Sequence, residues 1–507
     1  MTLSSSQRIA LNVAATYGRS LYALVVGLFA GRWLLMVLGE TDYGLYGLIG
    51  GLALFVTFFN DLLATAVERF FAFAVGAAPR EGLEECRRWF SVAVLLHVAA
   101  SVILVAVGYP FGLWAIDRYL NIPPDRMSAC LDVFRLVCLN CLVGMATVPC
   151  SAMYRAKQEI AELTGYGIFQ TTANAAVLGY MVLHPGDWMV HYVAWWCAIM
   201  VLPQLVLSFR AFATFSECRF RFDYALDRVR MLKLMDFVGS RFVCAFGQVL
   251  SGQGLAVVVN KYLGVAKNAA MTVSNSVSTH VMTLSGALSS AFMPAITNTA
   301  GAGDLERMRS YAYRTCVLSS LAVAVFGVPL ALEIDLALGL WLKTPPAGAA
   351  GLCLCALATA TIERTADGHW MSIFALGRIR RFQLAESTAF LGAFALGWIL
   401  VGGGMGVVGA GVGVLIGRSA AVLVKLHYGR TLAGLSVGTW LRRTLLPVGA
   451  TVVFALAVGA VPRFLLPPTP LRLFVTTGCC LAAFLALAWF VALDASDRRA
   501  VREVVSA

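Results

Sequence analysis

Residues 10–48 read ALNVAATYGRSLYALVVGLFAGRWLLMVLGETDYGLYGL. Between Ile9 and Met36 the only charges are Arg19 and Arg32. The run exceeds the roughly 20 apolar residues that one helix needs to cross the hydrocarbon, where backbone groups find no water and must bond within their own segment. A secretory leader is a shorter apolar core closed by a small-residue cleavage site. This run continues past that length, so the expectation is a first span that is not removed.

Working outward, comparable segments recur at about 43–76, 89–114, 131–152, 162–183 and 188–210. They resume at about 235–260, 268–298, 311–333, 350–376, 382–401 and 404–424, with a final pair at 444–461 and 472–493. With 59% hydrophobic and only 13% charged residues, the 507-residue chain holds more apolar surface than a water-soluble core hides. The fold expected is an all-α polytopic membrane protein of about fourteen transmembrane helices.

A net charge of +12 raises the question of nucleic acid. That reading needs a basic patch on a soluble face with aromatic residues to stack on bases. Here most basic residues fall between apolar segments, and they gather on alternate connections, such as Arg80, Arg87 and Arg88. Positive loops stay in the cytoplasm, so both termini are expected there, in a bacterial inner membrane, with no nucleic-acid partner.

The chain repeats itself at an offset of 225: Leu38-Gly39 meets Leu263-Gly264, Leu63 meets Leu288, Ala66 meets Ala291 and Gly76 meets Gly301. The expected organisation is two pseudo-repeated six-helix lobes, residues 1–210 and 235–430. They are joined by a connector at 211–234 and followed by a C-terminal helix pair and tail at 431–507. In the connector Phe222, Leu226, Val229 and Leu232 recur at helical spacing opposite Asp227 and Arg228, the pattern of an amphipathic helix lying in a membrane interface.

Several signals lead away from enzyme or cofactor chemistry. Gly404, Gly406 and Gly409 match a dinucleotide-binding spacing but lie in an apolar run without a βαβ context. With Gly413 and Gly417 they form a face for close helix packing. No Walker motif is present, the six histidines are scattered, and most of the thirteen cysteines sit inside apolar runs as small hydrophobes. No metal and no cofactor are expected.

An ionisable side chain at mid-membrane costs several kcal/mol and normally faces protein or water. Arg19 and Arg364 fall near the middle of spans 1 and 10, whereas Arg135, Arg241 and Arg418 lie within about two turns of a span end, from which a long side chain reaches the interface. Asn12, Thr16 and Arg19 share one face of span 1, and Arg32 joins them only if the helix bends near Gly27 or Gly31. Span 2 carries Asp61 and Glu68 on one face with Arg69 beside them, either as ion pairs that fix packing or as functional groups. In span 10 Arg364 and Asp367 can pair at i, i+3, and a carboxyl of Glu363 or Asp367 could instead take a coupling proton. Span 8 presents Ser274, Ser278, Ser285 and Ser289 on one stripe and Asn275, Thr279 and Thr283 on the next, side chains that also simply bond between helices.

The opening run, with Asn12, Arg19, Leu38-Gly39 and Tyr43-Gly44-Leu45-Tyr46, then Arg69-Phe70 and Gly76, resembles the start of bacterial polysaccharide transporters of the Wzx type. The segment AFMPAITNTAGAGDLERM, with Pro294 and Gly303-Asp304, resembles the stretch after the eighth helix in the multidrug/oligosaccharidyl-lipid/polysaccharide (MOP) exporter superfamily. The resemblance implies two lobes rocking about a central cavity and an undecaprenyl-pyrophosphate-linked oligosaccharide carried outward for surface polysaccharide or lipopolysaccharide biosynthesis. It also implies a monomer whose partners are the lipid-linked substrate, membrane lipids and other polysaccharide-assembly proteins. A pyrophosphate crossing a low-dielectric region needs cations, and arginine's planar fork bonds two oxygens at once. The candidate substrate residues are therefore Arg19, Arg364, Arg32, Arg69, Arg241 and Asn12, with Asp61, Glu68, Glu363 and Asp367 as candidates for ion coupling or ion pairing. The competing readings are a peptidoglycan lipid-precursor flippase, a drug/cation antiporter of the same superfamily, and a membrane glycan polymerase or ligase. The short outer loops speak against an enzyme.

Overall fold

A computed structural model describes residues 5–75, 79–157, 159–377 and 379–487. The side chains of Asn12, Arg19, Asp61, Arg69, Arg241, Ser285 and Ser289 lie outside the described residues. The described residues are almost wholly helical: α1 Ser5–Val75, α2 Pro79–Trp114, α3 Met127–Ala156, α4 Ile160–Leu183, α5 Met189–Thr214, α6 Phe222–Ala225 and α7 Arg228–Val249. After a π turn come α8 Leu255–Leu263, α9 Val265–Gly301, α10 Leu305–Leu332, α11 Ile334–Leu342, α12 Ala349–Arg364, α13 Asp367–Ala375 and α14 Arg380–Leu400. The series closes with α15 Val408–Ala433, α16 Val437–Trp440, α17 Leu446–Leu465 and α18 Pro470–Leu487.

The first two spans are one long element broken at a single residue, Gly39, with φ 72° and ψ 177°. Its repeat partner Gly264 has φ 84° and separates α8 from α9. An L side chain resists this left-handed region and glycine enters it freely, so the Leu-Gly pair marks the same backbone device at both positions. The six-residue loop expected between spans 1 and 2 is only this kink.

Among the described residues, nine helical stretches are long and apolar enough to cross a membrane. Three of the remaining segments fall short for a physical reason. α4 carries Gln170, Thr171, Thr172 and Asn174, the first half of α9 is rich in amides and hydroxyls, and span 10 is split into α12 and α13 at Thr365-Ala366. Large apolar side chains point outward along the apolar helices, including Val107 at 68% exposure, Phe209 at 76% and Phe464 at 86%. Apolar exposure on this scale requires a hydrocarbon surrounding.

The chain divides into two compact units, residues 1–249 with 256–269, and residues 250–255 with 270–507. In the first, α1 packs on α2, α3 and α4, and α3 on α5. Its core joins Leu63, Val67 and Phe71 of α1 to Phe90 of α2 and to Met145, Met153 and Tyr154 of α3. In the second, α15 packs on α12, α13 and α14, while the α17–α18 pair packs on α10 through Val317, Leu321, Ala324, Ala455 and Cys480. The glycine face holds within α15, where a Cβ at Gly413 would sit 2.3 Å from the backbone nitrogen of Gly397 and one at Gly417 2.2 Å from the Ala393 Cβ, but Gly404 and Gly406 instead take positive φ in the bend before α15, with nothing within 4 Å of a Cβ. All thirteen cysteines are free thiols, nine of them buried.

The connector is two helices rather than one. It breaks at Leu226-Asp227, where Asp227 Oδ1 accepts from the Arg230 backbone N–H at 3.1 Å and starts α7. Phe222, Leu226, Val229 and Leu232 are 75, 71, 62 and 59% exposed, with the Phe222 ring edge-on to Phe220. The polar side is tied down: Lys157 pairs with Glu217 at 2.7 Å, Arg87 donates to the Ser216 carbonyl at 3.0 Å, and Arg230 pairs with Glu85. Burial opposes the Glu217 charge, but the Lys157 hydrogen bond and charge together with backbone and Ser216 hydrogen bonds hold the carboxyl below its usual range.

Candidate functional site

Each unit holds an internal polar region. In the first, α1, α3, α4 and α5 enclose a cavity of about 600 Å³. Five carboxamides reach its wall: Asn60 from α1, Asn140 from α3, Gln170 and Asn174 from α4, and Gln204 from α5. These helices are long and mostly apolar, so side chains that would be expensive against lipid turn inward to shared space. Thr147 donates to Gln204 Oε1 at 2.8 Å, which leaves the amide nitrogen as the end that donates further. Gln170 donates to the Met200 carbonyl at 3.3 Å. Asn60 Oδ1 is buried and accepts no hydrogen bond among the described residues.

The only charged group in the described wall is Arg155, which pairs with Glu68 across α1 and α3. Glu68 is therefore an interhelical ion-pair partner, and it bonds to α3. Arg32, half-buried on α1, does not reach this wall. Arg19, Asn12, Asp61, Arg69 and Arg241 carry side chains outside the described residues.

The second unit concentrates its ionisable groups where α12 breaks into α13. The break frees the Thr365 carbonyl, and Trp440 Nε1 donates to it at 2.6 Å. Arg364 Nη1 donates to Asp367 Oδ2 at 2.8 Å, the i, i+3 pair legible in the sequence, and Nη2 lies 3.1 Å from the Met282 sulfur. Glu363 points the other way, to Arg418 of α15 at 3.0 Å, and the Arg418 guanidinium lies 4.3 Å from the centre of the Phe390 ring. One further pair, Lys425 with Glu386 at 3.5 Å, is buried between α14 and α15, the side chains only 9 and 5% exposed.

Arg418, Lys425 and Glu386 were missed as site candidates. Arg418 was placed near a span end with its side chain free to reach the interface; instead α15 runs on to Ala433, and Arg418 lies mid-helix, held by Glu363. The Glu363–Arg418 pair forms one wall of a cavity of about 250 Å³, whose other walls bring in Ser274, Asn275 and Ser278 of α9 and Thr359 of α12. The hydroxyl-amide stripes of span 8 thus line space as well as bond along their own helix, as Thr279 does to the Asn275 carbonyl at 2.8 Å. The exposed Arg135 pairs locally with Asp132 at 2.8 Å.

No protein-family model matches the sequence, and no curated protein matches it. Solved structures do match in three dimensions. A structure described as the lipid II flippase MurJ in an inward closed conformation superposes with a TM-score of 0.69 at 8% identity, covering 98% of this chain and all of that one. An inward-facing multidrug resistance MATE family transporter of the MOP superfamily gives 0.61 at 13% identity, covering 82% of this chain and 94% of its own. A MOP superfamily transporter from Pyrococcus furiosus, described by the reverse polarity of its binding pocket, gives 0.59 at 14%, covering 83 and 95%. The class defined is a helical polytopic membrane protein whose fold is shared with these solved structures. Within that class the likeness to the lipid II flippase extends over nearly the whole chain, including the C-terminal pair.

Proposed function

We propose that this protein is a transporter that flips a lipid-linked oligosaccharide, of the undecaprenyl-pyrophosphate type, across a bacterial inner membrane for surface polysaccharide biosynthesis. The observation that carries the proposal is the carboxamide-lined cavity among membrane-spanning helices. Asn60, Asn140, Gln170, Asn174 and Gln204 each offer donors and acceptors without net charge, the chemistry that sugar hydroxyls need. A pocket for organic cations would want carboxylates, and the described wall contains none. The peptidoglycan-precursor alternative shares the same chemistry and differs in the sugar carried.

Arg19, Arg32, Arg69, Arg241, Arg364 and Asn12 are proposed to meet the pyrophosphate as the lobes alternate. For Arg364 this means exchanging the Asp367 carboxylate for a phosphate oxygen, so that the guanidinium keeps an anionic partner. The proposal makes the protein a transporter and not an enzyme, with both termini cytoplasmic.

In liposomes the purified protein should move a fluorescent polyprenyl-pyrophosphate oligosaccharide between leaflets without nucleotide hydrolysis or glycosyl transfer. Gln204→Leu with Asn60→Leu should slow it by about a hundredfold, taking each lost hydrogen bond at about 1.4 kcal/mol. Conversion of the substrate into polymer by this chain alone would refute the transporter reading. Reporter fusions should place Glu84, Glu217 and Arg498 in the cytoplasm and Pro123 and Pro346 outside; an external Glu217 would reverse the assignment.

A further inference from the structure

α4 packs mainly on α1 and α5 mainly on α3, so the seam between α4 and α5 is a lighter contact than either. On its outer side the seam opens as a groove of about 820 Å³. Gly165, Phe169 and Val177 of α4 and Trp195, Leu202 and Val206 of α5 line it. Phe169, Trp195, Leu202 and Val206 are more than half exposed, and a Cβ on Gly165 would touch nothing. From Glu162 to Val177 the groove follows α4 for about 22 Å at 1.5 Å per residue, out of a hydrocarbon depth of about 30 Å.

Two observations say what covers this face. Tyr166 and Pro203 line both the groove and the carboxamide cavity, so the apolar and polar spaces are separated by a single layer of side chains. Pro203 has no N–H, which removes one rung of the α5 backbone ladder at this wall. At one end of the groove stands an ion pair, Arg210 Nε to Glu162 Oε1 at 2.6 Å, with Arg210 about half exposed. Its guanidinium can turn to a phosphate at the depth where a lipid headgroup begins.

We infer that the α4–α5 groove holds the polyprenyl chain of the lipid-linked substrate, with Tyr166 and Pro203 forming the wall across which the chain is tethered to the saccharide in the adjoining cavity. An ordinary acyl chain would fill the groove but has nothing to place among the carboxamides. A molecule that is half isoprenoid and half sugar has a use for both spaces at once. This subsite rests on the flippase reading proposed above.

The test uses the full-length protein in nanodiscs and two photoreactive probes, a diazirine-bearing polyprenyl phosphate and a phosphatidylcholine with a diazirine in its acyl chain. The polyprenyl probe should label α4 and α5 peptides, and excess undecaprenyl phosphate should reduce that labelling at least tenfold while leaving the phosphatidylcholine labelling unchanged. Ala173→Phe, and Ala198→Phe from the opposite wall, should each remove the competed labelling and slow flipping about tenfold at unchanged folded yield. Groove labelling that is equal for both probes and uncompeted means that bilayer lipid fills it and overturns the inference. Competed labelling confined to other helices overturns the inference and leaves the flippase reading standing. The absence of competed labelling anywhere in the chain overturns both.

Discussion

Arg364→Ala is expected to lower folded protein in the membrane sharply and to abolish transport, and adding Asp367→Asn should restore the protein but not the transport. The physical reason is the pair itself. Arg364 and Asp367 are only 17 and 13% exposed, and removing one partner of a buried pair costs about 3–5 kcal/mol because the other charge loses that counter-ion. Neutralising both removes most of that cost. Yield measured in membranes reports the packing role, and flipping in liposomes reports the substrate role. Arg364→Lys should flip partially, since an ammonium is a point charge in place of a bidentate fork. Normal flipping by the double variant would make the pair purely structural and remove Arg364 from the proposed substrate path.

The second large effect lies where α14 and α15 touch. Gly413→Ala places a Cβ 2.3 Å from the Gly397 nitrogen and 2.4 Å from its Cα, atoms of backbone that cannot swing aside. Overpacking a well-packed core typically costs about 1–3 kcal/mol, and the clash here falls at the upper end of that range or beyond it. Thermal unfolding in detergent should show Gly413→Ala losing stability strongly. Gly392→Ala on α14, whose Cβ would meet nothing within 4 Å, should hold or gain stability. Equal behaviour of the two variants would mean that the α14–α15 approach is looser than the structure shows.

Several features that depend on spacing along one chain were legible without coordinates. The hydrocarbon-length apolar runs made the membrane class unavoidable. The offset of 225 pointed to Gly39 and Gly264, which both take the left-handed backbone. Arg364 and Asp367 meet because i, i+3 is a distance set within a helix. The connector's apolar row is exposed for the same reason, although its single helix broke in two when Asp227 capped a new start.

What only the tertiary structure decided is who meets whom across helices, because that depends on rotation about each axis and on axial register, which composition does not carry. The five carboxamides come from four helices and nothing in their spacing draws them together. Glu68 met Arg155, far along the chain. Lys425 shows the limit most clearly: the apolar segment at 404–424 stops just before it, and a lone lysine is costly in hydrocarbon. Yet Glu386 on the neighbouring α14 neutralises that lysine inside the protein, α15 continues to Ala433, and Arg418 is thereby placed mid-helix against Glu363. Hydropathy locates a charge along the chain; whether that charge marks the edge of the membrane or a pair within it is settled only by the helix packed against it.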